Sequence, residues 1–110
     1  MKGIEKTLSA LGMCAGARKL ICGTPQVCEA LRGAHKPYLV LAPSDNSENT
    51  AKRLRDRCAY YHVELVILDT DADRLSAAIG KQGRIAAVAV TDPHLYRLVA
   101  GTLRVEEHNV

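Results

Sequence analysis

The chain is short of aromatic side chains, with four tyrosines and neither phenylalanine nor tryptophan. Proteins that read single-stranded bases on a sheet or in a small barrel stack those bases on aromatic rings. An aromatic content of 4% therefore argues against an RNP-type sheet and against an oligonucleotide-binding barrel. No apolar run has the length of a membrane span, and Lys2, Glu5 and Lys6 interrupt the stretch where a signal peptide would be apolar. We therefore expect a cytoplasmic protein without a membrane partner.

The cysteine pattern lacks the spacing of a metal or redox site. The four cysteines form no C-x-x-C pair and have no matching histidine spacing, which argues against a zinc cluster and a thioredoxin-like motif. They occupy apolar-periodic positions, so we expect buried, reduced thiols. The residues in question are Cys14, Cys22, Cys28 and Cys58. We expect no metal and no cofactor.

The pattern of an enzyme active site is also missing. We find no nucleophile beside a base, no paired catalytic carboxylates and no metal cluster, and the four histidines are scattered. Asp69, Asp71 and Asp73 alternate, but their loop lacks the glycine and downstream glutamate of a calcium site, so we interpret them as a helix-start cluster. We predict no catalytic residues and no enzymatic activity.

The chain has 110 residues, 47% of them hydrophobic, which is enough for one compact core and too few for two. We predict a single domain over residues 1–110, with a frayed tail at 104–110. The formal net charge of +3 permits an anionic partner without requiring one.

Apolar periodicity alternates between the helical and the strand type along the chain. Helices are predicted over residues 4–15, 25–32, 51–61, 72–79 and 93–103. Strands are predicted over residues 20–22, 38–42, 63–68 and 85–90, with Pro43 ending the second. Alternation of this kind implies a sheet with helices on both faces. We therefore predict an α/β fold, a three-layer α/β/α sandwich around a four-stranded mixed sheet.

The segment from Arg18 to Gly33 carries the strongest functional signal. Thr24 is an N-cap candidate, Pro25 is favoured at a first helical position, and Gly33 is a natural stop. A helix that begins here exposes backbone N–H groups and the positive end of its dipole, which suit a phosphate. An ordinary capped helix has the same local pattern. Asp45 and Glu48 similarly predict a capping-box variant ahead of the third helix.

Two further basic segments have two interpretations each. The loop from Gly80 to Arg84 lacks the phosphate-loop motif, but its glycines, Lys81 and Arg84 fit a nucleic-acid backbone as well as a flexible, solvated connector. The basic residues between Lys52 and Arg57 fit the wet face of an amphipathic helix, or a surface for an acidic protein partner.

Three segments in order make the chain similar to a known family: 17–23, 39–50 and 78–92. Over residues 4–103 the chain resembles the kink-turn-binding ribosomal proteins. This group includes the archaeal large-subunit protein seven-Ae and the eukaryotic protein thirty-e, and the chain looks most like its short bacterial branch. This resemblance implies an α/β/α sandwich that binds sharply bent RNA. It also implies that the second helix N-terminus meets tandem G·A pairs and that the loop before the last strand closes over the bend.

The resemblance assigns residues to the two sides of this RNA site, the second helix N-terminus and the loop before the last strand. The family's Gly-Thr-Asn-Glu-x-x-Lys element falls on Gly23, Thr24, Pro25, Gln26 and Glu29, and a preceding basic position falls on Lys19, beside Arg18. On the side of the loop before the last strand, the assigned residues are Lys81, Arg84, Ile85 and Ala86. Pro25 removes a backbone donor from this element. Glu29 replaces a lysine, and near a phosphate its charge would cause a repulsion of about 1 kcal/mol. We therefore expect RNA binding to be weaker or directed to another RNA.

These patterns together predict a non-enzymatic, monomeric ribosomal-type protein that recognises structured RNA by shape and phosphate contacts. The alternative is a protein-interaction module on the same scaffold with weakened or lost RNA binding.

Overall fold

The structure, a computed structural model, describes the backbone of residues 2–108 and the side chains of residues 4–103. Helices and strands alternate along this part of the chain. The elements are α1 (Lys2–Gly16), β1 (Leu20–Cys22), α2 (Thr24–Arg32), β2 (Leu39–Pro43), α3 (Glu48–Tyr61), β3 (Leu65–Leu68), α4 (Ala72–Ala78), β4 (Val88–Val90) and α5 (Pro93–His108). No helix among residues 2–108 is both long enough and apolar enough to cross a membrane.

The four strands form one mixed sheet in the order β1-β4-β2-β3. Strands β2 and β3 are parallel, whereas β4 lies between β1 and β2 and runs antiparallel to both. This confirms the predicted α/β fold with a mixed four-stranded sheet.

The core has two parts, one on each face of the sheet. On β2, Leu39 and Leu41 face the cluster built with α1, α4 and α5, whereas Val40 and Ala42 face the cluster built with α2 and α3. This alternation follows from the pleat of a strand, in which successive side chains point to opposite faces. All five residues of β2 are buried, so the prediction of a strand covered on both faces is confirmed.

Strand β4 begins at Val88 and not at residue 85, so the predicted strand over 85–90 is too long. The Ile85 N–H donates to the Ser76 hydroxyl at 3.0 Å, and the Ala86 carbonyl accepts from the Asn46 side chain at 2.9 Å. These partners lie in α4 and in the β2–α3 loop, so residues 85 and 86 are held outside the sheet.

The boundaries of β2 and β3 also differ from prediction. Strand β3 begins at Leu65 because the chain leaves α3 through His62 in the left-handed conformation, with φ 60°, and the Val63 N–H donates to the Cys58 carbonyl at 2.9 Å. Strand β2 begins at Leu39 and not at Tyr38, and Pro43 is its last residue, aligned with Leu68 of β3, instead of the first residue after it. A proline is tolerated at a strand end because little ladder remains for its missing N–H to interrupt.

The helix starts correct two predictions and confirm one. Thr24 is not an N-cap, because Gly23 precedes the first turn of α2 in that position and has no side chain to cap it. The Asp45–Glu48 capping box is wrong: Ser47 caps α3 and accepts from the Thr50 N–H at 3.2 Å. The helix-start role of Asp71 is confirmed, because it caps α4 through the Arg74 N–H at 2.7 Å.

The four cysteines are free, and burial raises the pKa of the Cys14 thiol. Burial, reinforced by Cys28, raises the pKa of Cys58 to about 11. Cys22 is only half-buried, which departs from the expectation of four buried thiols. Helix α5 continues past the predicted end at residue 103 to His108. The side chains of residues 104–108 and the whole of residues 109 and 110 lie outside the described part, so the predicted fraying of residues 104–110 stays a prediction.

At Gly12, helix α1 packs closely against the end of α4. A Cβ at this position would lie 2.8 Å from the backbone carbonyl oxygen of Ala78, whereas a Cβ at Gly16 would meet nothing within 4 Å. We expect Gly12→Ala to lower the free energy of unfolding by about 1–3 kcal/mol, because the two backbones must separate. Urea unfolding measures this. Gly16→Ala is the matched control and should leave stability unchanged or slightly raised, and an equal loss in both variants would contradict the close-approach argument.

Candidate nucleic-acid interface

Three connecting segments lie together at one end of the strands. Because β4 runs antiparallel to β1 and β2, its amino end lies beside their carboxyl ends. The start of α2 follows β1 at this end, the β2–α3 loop (residues 44–47) follows β2, and the α4–β4 loop (residues 79–87) precedes β4. The topology therefore places the second helix N-terminus beside the loop before the last strand.

The start of α2 is joined directly to the α4–β4 loop. The Gly23 N–H donates to the Ala87 carbonyl at 2.8 Å, and Gly23 adopts φ 103°, a conformation that favours glycine. A Cβ at Gly23 would also collide with the side-chain oxygen of Gln26, which folds back over it. With no side-chain cap, the first turn offers the backbone donors of Thr24 and Gln26, while Pro25 offers none.

The α4–β4 loop is anchored to the β2–α3 loop by side chains. Arg84 donates to the Asp45 carboxylate at 3.2 Å and to the Asp45 carbonyl at 2.8 Å. Asn46 donates to the Ala86 carbonyl at 2.9 Å, while its side-chain oxygen is buried without a partner in the described part of the chain. The loop turns through Gly80 and Gly83, both at positive φ.

Asp45 is the electrostatic centre of this anchor. Desolvation acts to raise the pKa of its carboxyl group, but hydrogen bonds from Arg84 and the Ala72 backbone, together with the Arg84 charge, outweigh it and lower the pKa. The carboxylate accepts from the Ala72 N–H at 3.0 Å, so it also joins the anchor to the start of α4. The anchor is therefore intact near neutral pH and weakens as Asp45 is protonated in acid.

The two lysine and arginine side chains of this loop are not equivalent. Arg84 is engaged with Asp45, whereas Lys81 is exposed and has no ion-pair partner in the described part of the chain. The Lys81 charge acts to lower the pKa of the Cys22 thiol, although burial outweighs it and the pKa is raised. Lys81 lies in the loop that the Gly23–Ala87 hydrogen bond holds beside the start of α2.

The sequence-predicted residues do not all meet at this end of the strands. Gly23, Thr24, Pro25 and Gln26 lie beside the α4–β4 loop, and Glu29 is exposed about 8 Å further along the axis of α2. Ala86 is half-buried. Ile85 is half-buried and packs against the α1, α4 and α5 core, so its side chain turns largely inward.

Arg18 and Lys19 lie at the opposite end of the strands, before β1 begins. The Lys19 carbonyl accepts from the Thr91 N–H at 3.0 Å, beyond the far end of β4. Extended chain separates Lys19 from Gly23 by roughly 13 Å. Arg18 is exposed and adopts the left-handed conformation, with φ 61°. The two basic residues that precede the helix in sequence are therefore not beside its N-terminus.

Sequence reasoning missed the residues that hold the interface together. The sequence pattern assigns Asp45 to a helix cap, places Asn46 only within a segment that resembles the family, and gives no role to Ser76. Each acts on a residue far along the chain, such as Asp45 on Arg84, so a local pattern carries no signal for it. The strand register is what joins them.

The basic face of α3 is partly neutralised. Lys52 pairs with Asp56 at 2.6 Å, one turn along the exposed face of the helix, while Arg53 and Arg55 are exposed. An exposed pair of this type contributes little stability, but it reduces the positive charge offered to an acidic partner. Within the described residues, no group of three or more histidine, cysteine, aspartate or glutamate side chains could hold a metal ion.

Comparisons with known proteins give consistent findings. Residues 5–100 match the model of the ribosomal protein L7Ae/L30e/S12e/Gadd45 family. The chain is 40% identical over 92 residues to the RNA-binding protein YlxQ of Bacillus subtilis, covering 84% of this chain and 88% of that protein. A protein of the same name from Enterococcus faecium is 30% identical over 84 residues, with coverage of 76% and 80%.

Solved structures show the same fold. A protein of unknown function from Bacillus halodurans superposes with a TM-score of 0.79 at 33% identity, covering 90% of this chain and 97% of that one. The 15.5 kD RNA-binding protein of Giardia lamblia superposes with a TM-score of 0.80, covering 100% and 92%, and its 16% identity supports likeness of fold alone.

The Asn46 anchor yields a testable consequence. We expect Asn46→Ala to lower the free energy of unfolding by about 1 kcal/mol, because the Ala86 carbonyl loses its side-chain donor. The loosened loop should also speed hydrogen exchange of the Gly23 amide, which donates to the adjacent Ala87 carbonyl. Urea unfolding and amide exchange followed by NMR measure the two effects. Asn49→Ala, an exposed neighbour, is the control, and unchanged Gly23 exchange in Asn46→Ala would refute the anchoring role.

Proposed function

Because the chain belongs to the ribosomal protein L7Ae/L30e/S12e/Gadd45 family, we propose that it is a non-enzymatic protein that binds structured RNA at the edge formed by α2 and the α4–β4 loop. The curated relatives described above carry RNA binding in their names. The proposed ligand is a sharply bent RNA of the kink-turn type. The protein would act as a monomer in the cytoplasm.

The observation that carries the proposal is the hydrogen bond between the Gly23 N–H and the Ala87 carbonyl. It holds the uncapped start of α2 against the α4–β4 loop, so one RNA backbone can cross both segments. The free donors of the first turn and the helix dipole favour a phosphate on one side. Lys81 supplies the exposed cation on the other side.

Recognition would depend on RNA shape. Tyrosine is the chain's only aromatic residue, so base stacking on aromatic platforms has little support. A bent RNA instead presents phosphates and ribose hydroxyls in a fixed arrangement.

The roles proposed for the individual residues follow from their placement. Gly23, Thr24 and Gln26 would contact the bend through backbone and side chain, and Lys81 would bind a phosphate. Arg84 would act mainly by holding the loop, because Asp45 already engages it. Ala86 would line the loop side of the bend.

The residues outside this edge would act in other ways. Ile85 would stabilise the loop from within the core. Lys19 and Arg18 would act at longer range, through the general attraction of positive charge for RNA.

The Lys81 contact can be tested by titrating a fluorescently labelled kink-turn RNA, and the same stem with its G·A pairs replaced, at two salt concentrations. We expect tighter binding of the kink-turn and a loss of roughly fivefold to tenfold for Lys81→Ala, because one phosphate contact disappears. The slope of log affinity against log salt should fall by about one.

Arg97→Ala, which removes an exposed charge on α5, is the matched control and should bind like the parent protein. Equal weak binding of both RNAs would refute kink-turn recognition. An equal loss for Lys81→Ala and Arg97→Ala would refute the placement of the site.

Glu29 gives a complementary test with the opposite sign. We expect Glu29→Lys to strengthen RNA binding by up to roughly fivefold at low salt, because it replaces repulsion by attraction near the helix N-terminus. The same titration measures this gain. Glu5→Lys makes the same charge change on α1 and should give a smaller gain, and equal gains would indicate a general charge effect only.

A further inference from the structure

Strand β3 forms an open edge of the sheet. It is the last strand in the order β1-β4-β2-β3, and among residues 2–108 no segment pairs with its outer side. An open edge presents backbone N–H and carbonyl groups that can pair with another extended chain. Natural proteins usually protect such edges with a bulge, a proline or an inward charge, and the sequence Leu-Val-Ile-Leu of β3 has none of these.

The strand register identifies the groups that point outward. Leu65 aligns with Val40, and the Val40 N–H donates to the Glu64 carbonyl at 2.9 Å. In a parallel ladder, alternate residues of a strand bond to the same neighbour. Glu64, Val66 and Leu68 therefore face β2. The backbone groups of Leu65 and Ile67 face away from the sheet, and no backbone segment among residues 2–108 pairs with them.

A shallow apolar groove accompanies these unpaired groups. Leu65 packs against the core on the α3 side, and Ile67 lies on the same side of the pleat. Ile67 is 51% exposed, which is unusual for an apolar residue within a sheet. The groove runs between β3 and α3 and is lined by Arg55, Cys58, Ala59, Val63, Leu65 and Ile67.

The charges at the two ends of the strand select the occupant. Glu64 precedes β3 and Asp69 follows it, and both are exposed. A second copy pairing antiparallel on β3 would bring Glu64 of each copy near Asp69 of the other, and like charges across a strand pair are unfavourable. A segment with basic residues at both ends would instead meet opposite charge. The acidic ends therefore disfavour self-pairing and favour a basic partner.

We propose that β3 is a docking edge for an extended peptide of a partner protein, with apolar side chains at alternate positions and lysine or arginine at both ends. The peptide adds as a fifth strand by bonding to the backbone of Leu65 and Ile67. Its alternate side chains cover the groove beside Ile67. Arg55, at the α3 rim, gives the peptide's central groove position a preference for a residue that accepts a hydrogen bond.

This edge is independent of the RNA site. Strands β4 and β2 separate β3 from β1, and the groove belongs to β3 and α3, whereas the RNA site belongs to α2 and the α4–β4 loop. The protein can therefore hold RNA and a peptide together, which would join a structured RNA to the partner that carries the peptide.

The test uses the full chain and a fluorescein-labelled peptide of alternating valine and threonine with lysines at both ends. We expect saturable binding, with amide exchange slowed at Leu65 and Ile67 but not at Val66, which already bonds to β2. A glutamate-ended peptide should bind several-fold more weakly. A peptide N-methylated at its central amides should not bind, because it cannot donate to the edge.

Ile67→Lys should weaken binding of the lysine-ended peptide roughly tenfold, because a charge on the edge opposes strand addition. Leu98→Lys, which changes an exposed leucine of α5, is the matched control and should bind normally. Three outcomes would each overturn the proposal: unchanged exchange at Leu65 and Ile67, equal losses in the two variants, or protection of the edge that rises with protein concentration alone, which would identify a second copy as the occupant.

Discussion

The pairing of β4 between β1 and β2 is the constraint on which the rest of the molecule depends. This strand has only three residues, yet it bonds to both neighbours and is buried on both faces. Because it runs antiparallel to them, its amino end and the loop that precedes it lie at the end of the sheet where α2 begins. Without this antiparallel pairing the α4–β4 loop would not lie beside Gly23, and the candidate site would consist of the start of α2 alone.

The architecture could be predicted from the sequence because apolar periodicity records burial directly. The run from Leu39 to Ala42 is continuous because both faces of β2 are covered, and Leu54 and Cys58 repeat at helical spacing because one face of α3 is covered. Element ends were less predictable. Ile85 is as apolar as a strand residue, but a hydroxyl from α4 binds its N–H, and composition carries no information about that partner.

The candidate site was predictable in part, for the same physical reason. Glycines and basic residues indicate where backbone and charge are free to meet a phosphate, so the sequence alone singles out Gly23 and Lys81, which lie in the two segments that the fold brings together. Proximity in sequence, however, does not imply proximity in space when a strand intervenes. Strand β1 separates Lys19 from Gly23, so the two residues lie at opposite ends of the sheet. Asp45 and Asn46 escaped prediction because their partners lie in a segment that only the fold brings near.

The anchoring of the α4–β4 loop by Asp45 and Asn46 decides which partner must change shape when the complex forms. A loop held by several hydrogen bonds has little conformational entropy left to lose, so the ordering cost of binding falls mainly on the RNA. For the bent RNA proposed above, the apparent affinity would then scale with the fraction of RNA that is already bent. Magnesium ions or neighbouring proteins that bend the RNA in advance would act as positive effectors of this protein without touching it.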